Sequence, residues 1–249
     1  MSNEITVLLQ GIPCSCQEFH IGAAMVALCR TKERKILFNT GPYSERLLLV
    51  AALKKQGLTP ADIDVLVLSQ LHWDTAINVD LFRNSEIYIH RDELRYSESP
   101  APEDTATPLF LARHLKTMPK LHIIERETAL ADGVTILPLP GNSPGAIGLL
   151  VDGALFAGDA VPNVRCAYHR EIPYPCHDPE LAKKSLLKAL QTAKVIYPGH
   201  DRAFAVQENG LEILDEINLR IRFFFNSIGQ DQEVVVKSEK PLTFVSWPN

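Results

Sequence analysis

Residues 68–78 read LSQLHWDTAIN and open at the end of the apolar run IDVLVLS (63–69). An apolar run without alternation is the pattern of a strand buried on both faces. His72 and Asp74, two positions apart, therefore stand where a buried strand stops. A loop that gathers metal ligands at a strand end would carry more histidines, and Gln70 and Thr75 occupy the places where they would be sought. Three readings are open from these residues alone: a reduced metal site, an emptied one, or coincidence.

The same arrangement recurs along the chain. Asn39-Thr40-Gly41 closes KILFNTG, Gly141-Asn142-Ser143 follows VTILPLP, Gly158-Asp159 follows ALFA, and Gly199-His200-Asp201 follows KVIYP. Glycine lets the backbone turn sharply at a strand end. Five such endings could converge on one rim, as ligand sites do at the carboxyl ends of strands in α/β folds.

The 249 residues are 46% hydrophobic, enough for one large core. A net charge of −5 argues against a nucleic-acid backbone as partner. No apolar run approaches the roughly 18 residues of a membrane span, and MSNEITVLLQG lacks the basic start and long apolar stretch of a signal peptide. The expected location is the cytoplasm. The cysteines, Cys14, Cys16, Cys29, Cys166 and Cys176, are odd in number and read as reduced thiols. Cys14 and Cys16 are spaced by two, which matches neither a zinc knuckle nor a redox pair.

Short apolar runs alternate with helical patterns. Strands are expected over 5–11, 23–30, 35–41, 63–69, 86–90, 120–125, 134–141 and 194–200, and a hairpin over 146–159 turning at Asp152-Gly153. Helices are expected over 44–57, with Ser44 as N-cap and Gly57 as stop, and over 178–193, with Asp178 as cap and Pro179 at N1. Thr59 and Pro60 open a short helical turn. GLEILDEINLRIRFFFNSI (210–228) reads as a long helical segment whose three phenylalanines pack in the core or, as second choice, at a homodimer contact. YSESPAPEDTATP (96–108) is rich in proline and acid and reads as an exposed loop. Strands resume on both sides of it, so residues 1–249 are taken as a single domain.

The ordered series ILFNTG, LSQLHWDTAIN, LPGNSPGAIGLLV, LFAGDAV, IYPGHD resembles the metallo-β-lactamase superfamily, whose pattern runs D-T-G, [ST]-H-x-H-x-D-H, P-G-H-[ST]-x-G, G-D, P-G-H. The resemblance covers roughly residues 5 to 202. It implies an α/β (α+β) fold, the four-layer αββα sandwich, with the active site along one edge of the two sheets. It also implies two metal sites. The three histidines of the first fall here on Gln70, His72 and Asn142. The ligand positions of the second fall on Asp74, Thr75, Asp159 and His200, of which only Thr75 departs. The supporting aspartate behind the loop is Asn39.

Zinc prefers imidazole, thiolate or carboxylate, and an amide is a poor ligand. The first metal is therefore expected to be absent. Asp74, Asp159 and His200, with His72 beside them, could hold one divalent ion: zinc first, iron or manganese as alternatives. His72 and Asp74 are the expected catalytic pair, with His72 accepting a proton from the attacking water, and Gln70, Thr75, Asn142 and Asn39 the expected pocket lining. The plain reading of the same residues is that Asp74 and Asp159 cap turns and His200 bonds one of them. Cys166, His169, Cys176 and His177 form a stretch that could run beside the site or be a solvated loop, and Cys14, Cys16 and His20 could overhang it. The resemblance implies hydrolysis of a lactone, thioester or related ester-like bond in a small molecule. A metal-free protein binding a small polar ligand in the same cleft is the alternative, and a single-iron oxidative enzyme ranks last.

Overall fold

The computed structural model describes residues 3–14, 22–224 and 232–248. Along the chain lie β1 (Glu4–Leu9), β2 (Val26–Arg30), β3 (Lys35–Phe38), α1 (Arg46–Lys55), β4 (Val65–Val67), β5 (Glu86–His90), α2 (Arg91–Tyr96), α3 (Leu109–Leu115), β6 (Leu121–Ile124), β7 (Thr128–Ala131) and β8 (Val134–Pro138). Then follow β9 (Ile147–Val151), β10 (Ala154–Gly158), α4 (Val164–His169), α5 (Pro179–Thr192), β11 (Val195–Pro198), β12 (Phe204–Gln207), β13 (Gly210–Ile213), β14 (Asn218–Phe223), β15 (Gln232–Lys237) and β16 (Phe244–Ser246).

One sheet runs β1-β2-β3-β4-β5-β6, antiparallel to β3 and parallel beyond it. The other runs β16-β13-β12-β11-β10-β9-β8-β7, antiparallel except for the β10–β11 pair. Alternation along each strand decides which layer a side chain enters. Ala27, Cys29, Ile36, Phe38, Val65 and Val67 face the second sheet and meet Ile136, Leu149, Val151 and Phe156 from it. Phe38 and Phe156 approach to 5.8 Å between ring centroids across that seam. Val26, Leu28, Leu37 and Leu66 face the other way and pack on Leu49 and Leu53 of α1 and Leu111 and Leu115 of α3. Leu137, Leu155, Ala157 and Ile196 cover the outer face of the second sheet against Ala167 of α4 and Leu186 and Ala189 of α5. The layers are helix, sheet, sheet, helix, as the motif series implied. Full burial of each large apolar side chain in these layers contributes about 2 kcal/mol before conformational entropy is counted.

Asp152 and Gly153 adopt φ of 47° and 86°, the left-handed pair that a two-residue hairpin requires. Asp178 caps α5 by accepting from the Leu181 amide at 3.0 Å. Ser44 does not cap α1: Glu45 stands at that position, and a short 3-10 turn, Tyr43–Glu45, precedes the helix.

The expected helix over 210–228 is overturned. Residues 210–213 are β13, and Asn218–Phe223 is β14, paired with β15 as a separate hairpin. Within β14, Leu219, Ile221 and Phe223 are half-buried and their neighbours exposed. That two-residue period wins over helical propensity where β-branched and aromatic residues alternate with charge. Phe224 is exposed rather than in the core, and residues 225–228 lie outside the described set. Residues 97–108 form an ordered loop. The Asp104 carboxylate accepts from the Ala106 and Thr107 amides at 2.8 and 3.1 Å and from the Thr107 hydroxyl at 2.7 Å. The Ala106 carbonyl in turn accepts from the Trp73 amide at 2.9 Å.

Candidate functional site

The strand ends converge because of sheet order. β10 and β11 are parallel neighbours, so Asp159 and His200 leave the same edge side by side. β3 and β4 are likewise parallel, and the loop after β4 crosses to the second sheet, where the Ile147 amide donates to the Ser69 carbonyl at 2.9 Å. Glu93 of α2, fully buried, accepts from the Leu71 amide at 2.8 Å and the Gly145 amide at 3.2 Å. One carboxylate thus ties the loop carrying His72 and Asp74 to the loop carrying Asn142.

Asp74, Asp159 and His200 meet. His200 Nε2 lies 3.3 Å from Asp74 Oδ2 and 3.2 Å from Asp159 Oδ1, and its Nδ1 lies 3.1 Å from the Ala23 carbonyl. A carbonyl only accepts, so Nδ1 carries a hydrogen. Burial works against a charged imidazole, but Asp159 and then Asp74 outweigh it, and the His200 pKa is pushed up to about 9. Burial would raise Asp159 as well, yet His200, His72 and the Gln70 amide bring it down to about 2. Asp74 is raised, chiefly by burial and further by the charge of Asp159. The trio without an ion is an imidazolium shared between two acids.

On the other side of Asp159, the Gln70 amide nitrogen donates to Oδ2 at 2.6 Å and stands 2.8 Å from His72 Nδ1. Asn142 lines the cleft, and its Oδ1 is buried without a partner. Asn39 and Thr75, expected in the pocket wall, are buried and occupied with backbone. Asn39, at φ 62°, accepts from the Ser69 amide at 2.9 Å. The Thr75 hydroxyl reaches the Gln70 and His72 carbonyls at 2.9 and 3.0 Å. Both shape the loop rather than the cavity. The Asp74 carboxylate turns to His200.

Two cavities share Asn142. One, of about 280 Å³, is lined by Asp74, Asp159 and His200 with Trp73, Cys14 and Tyr174. The other, of about 300 Å³, is lined by His72, Tyr96, Asp104, Cys176 and His177. Of the flanking cysteines and histidines, Cys14, Cys176 and His177 reach the cleft, Cys166 is buried in α4, His169 is exposed, and Cys16 and His20 lie outside the described residues. Trp73 was within the motif but unmarked by it. Tyr174 and Glu93 carry no local sequence signal.

The chemistry of the donors fits one divalent cation: two carboxylates and an imidazole are a familiar zinc set, and zinc ligands held about 2.0–2.1 Å from the ion stand roughly 3.3 Å apart. The two spacings around His200 Nε2, 3.2 and 3.3 Å, are of that size. Among the described residues no group of three or more His, Cys, Asp or Glu side chains is arranged as a ready metal cluster, and within the trio His200 Nε2 contacts both carboxylates directly. Gln70, His72 and Asn142 offer two amides and one imidazole and do not fit a second ion.

Residues 22–200 match the Metallo-beta-lactamase superfamily. An N-acyl homoserine lactonase of Bacillus thuringiensis is 30% identical over 162 residues, 61% of this chain and 62% of that protein. The match therefore covers less than two thirds of that relative's length. Metallo-beta-lactamase domain-containing protein 1 of Xenopus laevis is 28% identical over 180 residues, 68% of this chain and 67% of its own. Among solved structures, AidC, a dizinc quorum-quenching lactonase in complex with an N-hexanoyl-homoserine product, superposes with a TM-score of 0.62 at 21% identity, covering 77% of this chain and 78% of AidC.

Proposed function

This chain belongs to the metallo-β-lactamase superfamily, and from that premise we propose that it is a mononuclear metal-dependent hydrolase of an ester-like bond in a small molecule, a lactone first among them. The observation that carries this is the approach of His200 Nε2 to both Asp74 and Asp159 within 3.3 Å, at the wall of a cavity of about 280 Å³. The lactonases among its relatives support the substrate class.

Asp74, Asp159 and His200 would hold the ion, zinc first and iron or manganese after it. A divalent cation bound there supplies a Lewis acid and a lowered water pKa. The chain's own part is to prepare the ligands. His200 keeps its Nδ1 hydrogen on the Ala23 carbonyl, so the proton it gives up on binding leaves from Nε2, the nitrogen between the acids. Asp159, already ionised, is steadied by the Gln70 amide at 2.6 Å. Trp73 and Tyr174 line the cavity beside them and would displace water from around an acyl group lying there.

The test is metal content per chain together with acid release from a panel of lactones. About one equivalent of metal is expected, lost in Asp159→Ala and His200→Ala, with hydrolysis abolished by chelator and restored by one equivalent of zinc. A chain that takes up no metal after soaking in zinc or manganese overturns the proposal. It would leave the metal-free reading, a small polar ligand held in the same cleft.

A further inference from the structure

We propose that Gln70 is a positioning residue whose amide nitrogen stands in for a cation: bridging Asp159 Oδ2 and His72 Nδ1, it locks His72 as the Nε2–H tautomer, so that His72 meets the cleft as a hydrogen-bond donor and not as a proton acceptor. The inference concerns the chain without metal and goes beyond the hydrolase reading.

The geometry fixes the orientation of the amide. Asp159 Oδ2 and His72 Nδ1 lie 4.0 Å apart, and the Gln70 nitrogen stands 2.6 Å from the first and 2.8 Å from the second. These are hydrogen-bond lengths, well beyond the roughly 2.0–2.1 Å of a zinc–ligand bond. Turning the amide over would press its carbonyl oxygen on a carboxylate oxygen at the same separation. The orientation is kept even though it leaves Gln70 Oε1 buried and unpartnered, a cost that the two donated bonds must exceed.

The consequence for His72 follows from the inventory of donors. An amide nitrogen has two hydrogens and no available lone pair, so Nδ1 must accept. A neutral imidazole with a bare Nδ1 carries its proton on Nε2. Gln70 is fully buried, so water does not compete for Nδ1 from that side. His72 lines the cavity of about 300 Å³ with Tyr96, Asp104, Asn142 and His177. A ligand group that completes this site is one bearing a neutral acceptor oxygen, such as a carbonyl, because Glu103 and Asp104 line the same cavity. On this proposal His72 has, in the chain without metal, no free ring nitrogen with which to accept a proton from water.

The experiment is long-range ¹⁵N–¹H correlation NMR on chelator-treated protein labelled in histidine. In the wild type, His72 is expected with a protonated Nε2 and a bare Nδ1, in about tenfold or greater excess over the other tautomer, the scale set by one buried hydrogen bond. A protonated Nδ1 in the wild type overturns the proposal. Gln70→Met removes the donor at similar volume, and a mixture of tautomers is expected. Gln70→Glu supplies an acceptor, and the tautomer should reverse. A wild-type tautomer retained in either folded variant overturns the role of Gln70. Should neither variant fold, the wild-type spectrum still decides.

Discussion

Gly199 leaves room for Asp159: a Cβ at Gly199 would stand 2.3 Å from Asp159 Oδ1 and 2.9 Å from the Gly158 carbonyl carbon. The oxygen it would strike is the one that meets His200 Nε2. Gly199→Ala is therefore expected to push the Asp159 carboxylate off His200 and to strain the Gly158 backbone beside it. Zinc affinity should fall by at least about 10–100-fold, the range seen when groups that orient metal ligands are disturbed, while the circular-dichroism spectrum stays unchanged. Titration with a competing chelator measures this. Wild-type affinity in a folded Gly199→Ala protein would count against the trio as the binding site.

The ion triad sets a pH dependence for the metal-stripped chain. The His200 pKa rises from its ordinary 6.5 to about 9 on folding, so its charged form is favoured by the native state. Stability from this group is complete below pH 6.5 and is lost as pH climbs through about 9. Asp159, brought down to about 2, has the opposite window: its contribution is lost only in strong acid. With EDTA present, the melting temperature should fall between pH 6.5 and 9, and His200→Asn should flatten that part of the curve. An equal slope in the two proteins would remove His200 as its source.

Much of this site could be read from sequence because its parts sit at strand ends, where local patterning is strong. Asp159 follows Gly158 and His200 follows Gly199 at such ends, and parallel pairing of β10 with β11 brings the two side chains together. A motif position does not say which way a side chain turns, and so the motif alone misassigns Asn39 and Thr75 to the cavity wall. Both turn inward to satisfy backbone groups that a tight loop leaves unpaired. The segment 210–228 misled because LEILDEINLRI carries a helical spacing of leucine and isoleucine as well as a strand alternation. Pairing of β13 with β12 in a hairpin and with the distant β16 selected the strand. Glu93 was invisible for the same kind of reason: its partners, Leu71 and Gly145, are 22 and 52 residues away.

Glu93 gives a direct test of how the two loops are joined. Glu93→Ala leaves the Leu71 and Gly145 amides without an acceptor in a fully buried place. Bonds to a charged acceptor are the stronger class, so a loss of about 3 kcal/mol is expected. Glu93→Gln keeps one acceptor oxygen and should lose less. Urea unfolding followed by fluorescence gives both values. A midpoint unchanged in Glu93→Ala would show that the loops are held by other contacts.

Thiol chemistry can report on the cleft because the described cysteines fall into two environments. Burial pushes the Cys29 and Cys166 thiols up to about 11, and each is about 1% exposed. At pH 8 only on the order of a thousandth of each would be thiolate, the reactive form. Cys14 and Cys176 are half-buried and line the two cavities, Cys14 beside the Asp74–Asp159–His200 trio and Cys176 beside His72. Brief treatment of the folded chain with a maleimide at pH 8, read by peptide mass spectrometry, should label Cys14 and Cys176 and spare Cys29 and Cys166 until denaturant is added. A bound small molecule that fills the first cavity should slow the label at Cys14 more than at Cys176. Prompt labelling of Cys29 or Cys166 without denaturant would mean that the inter-sheet core or the base of α4 opens far more readily than its packing implies.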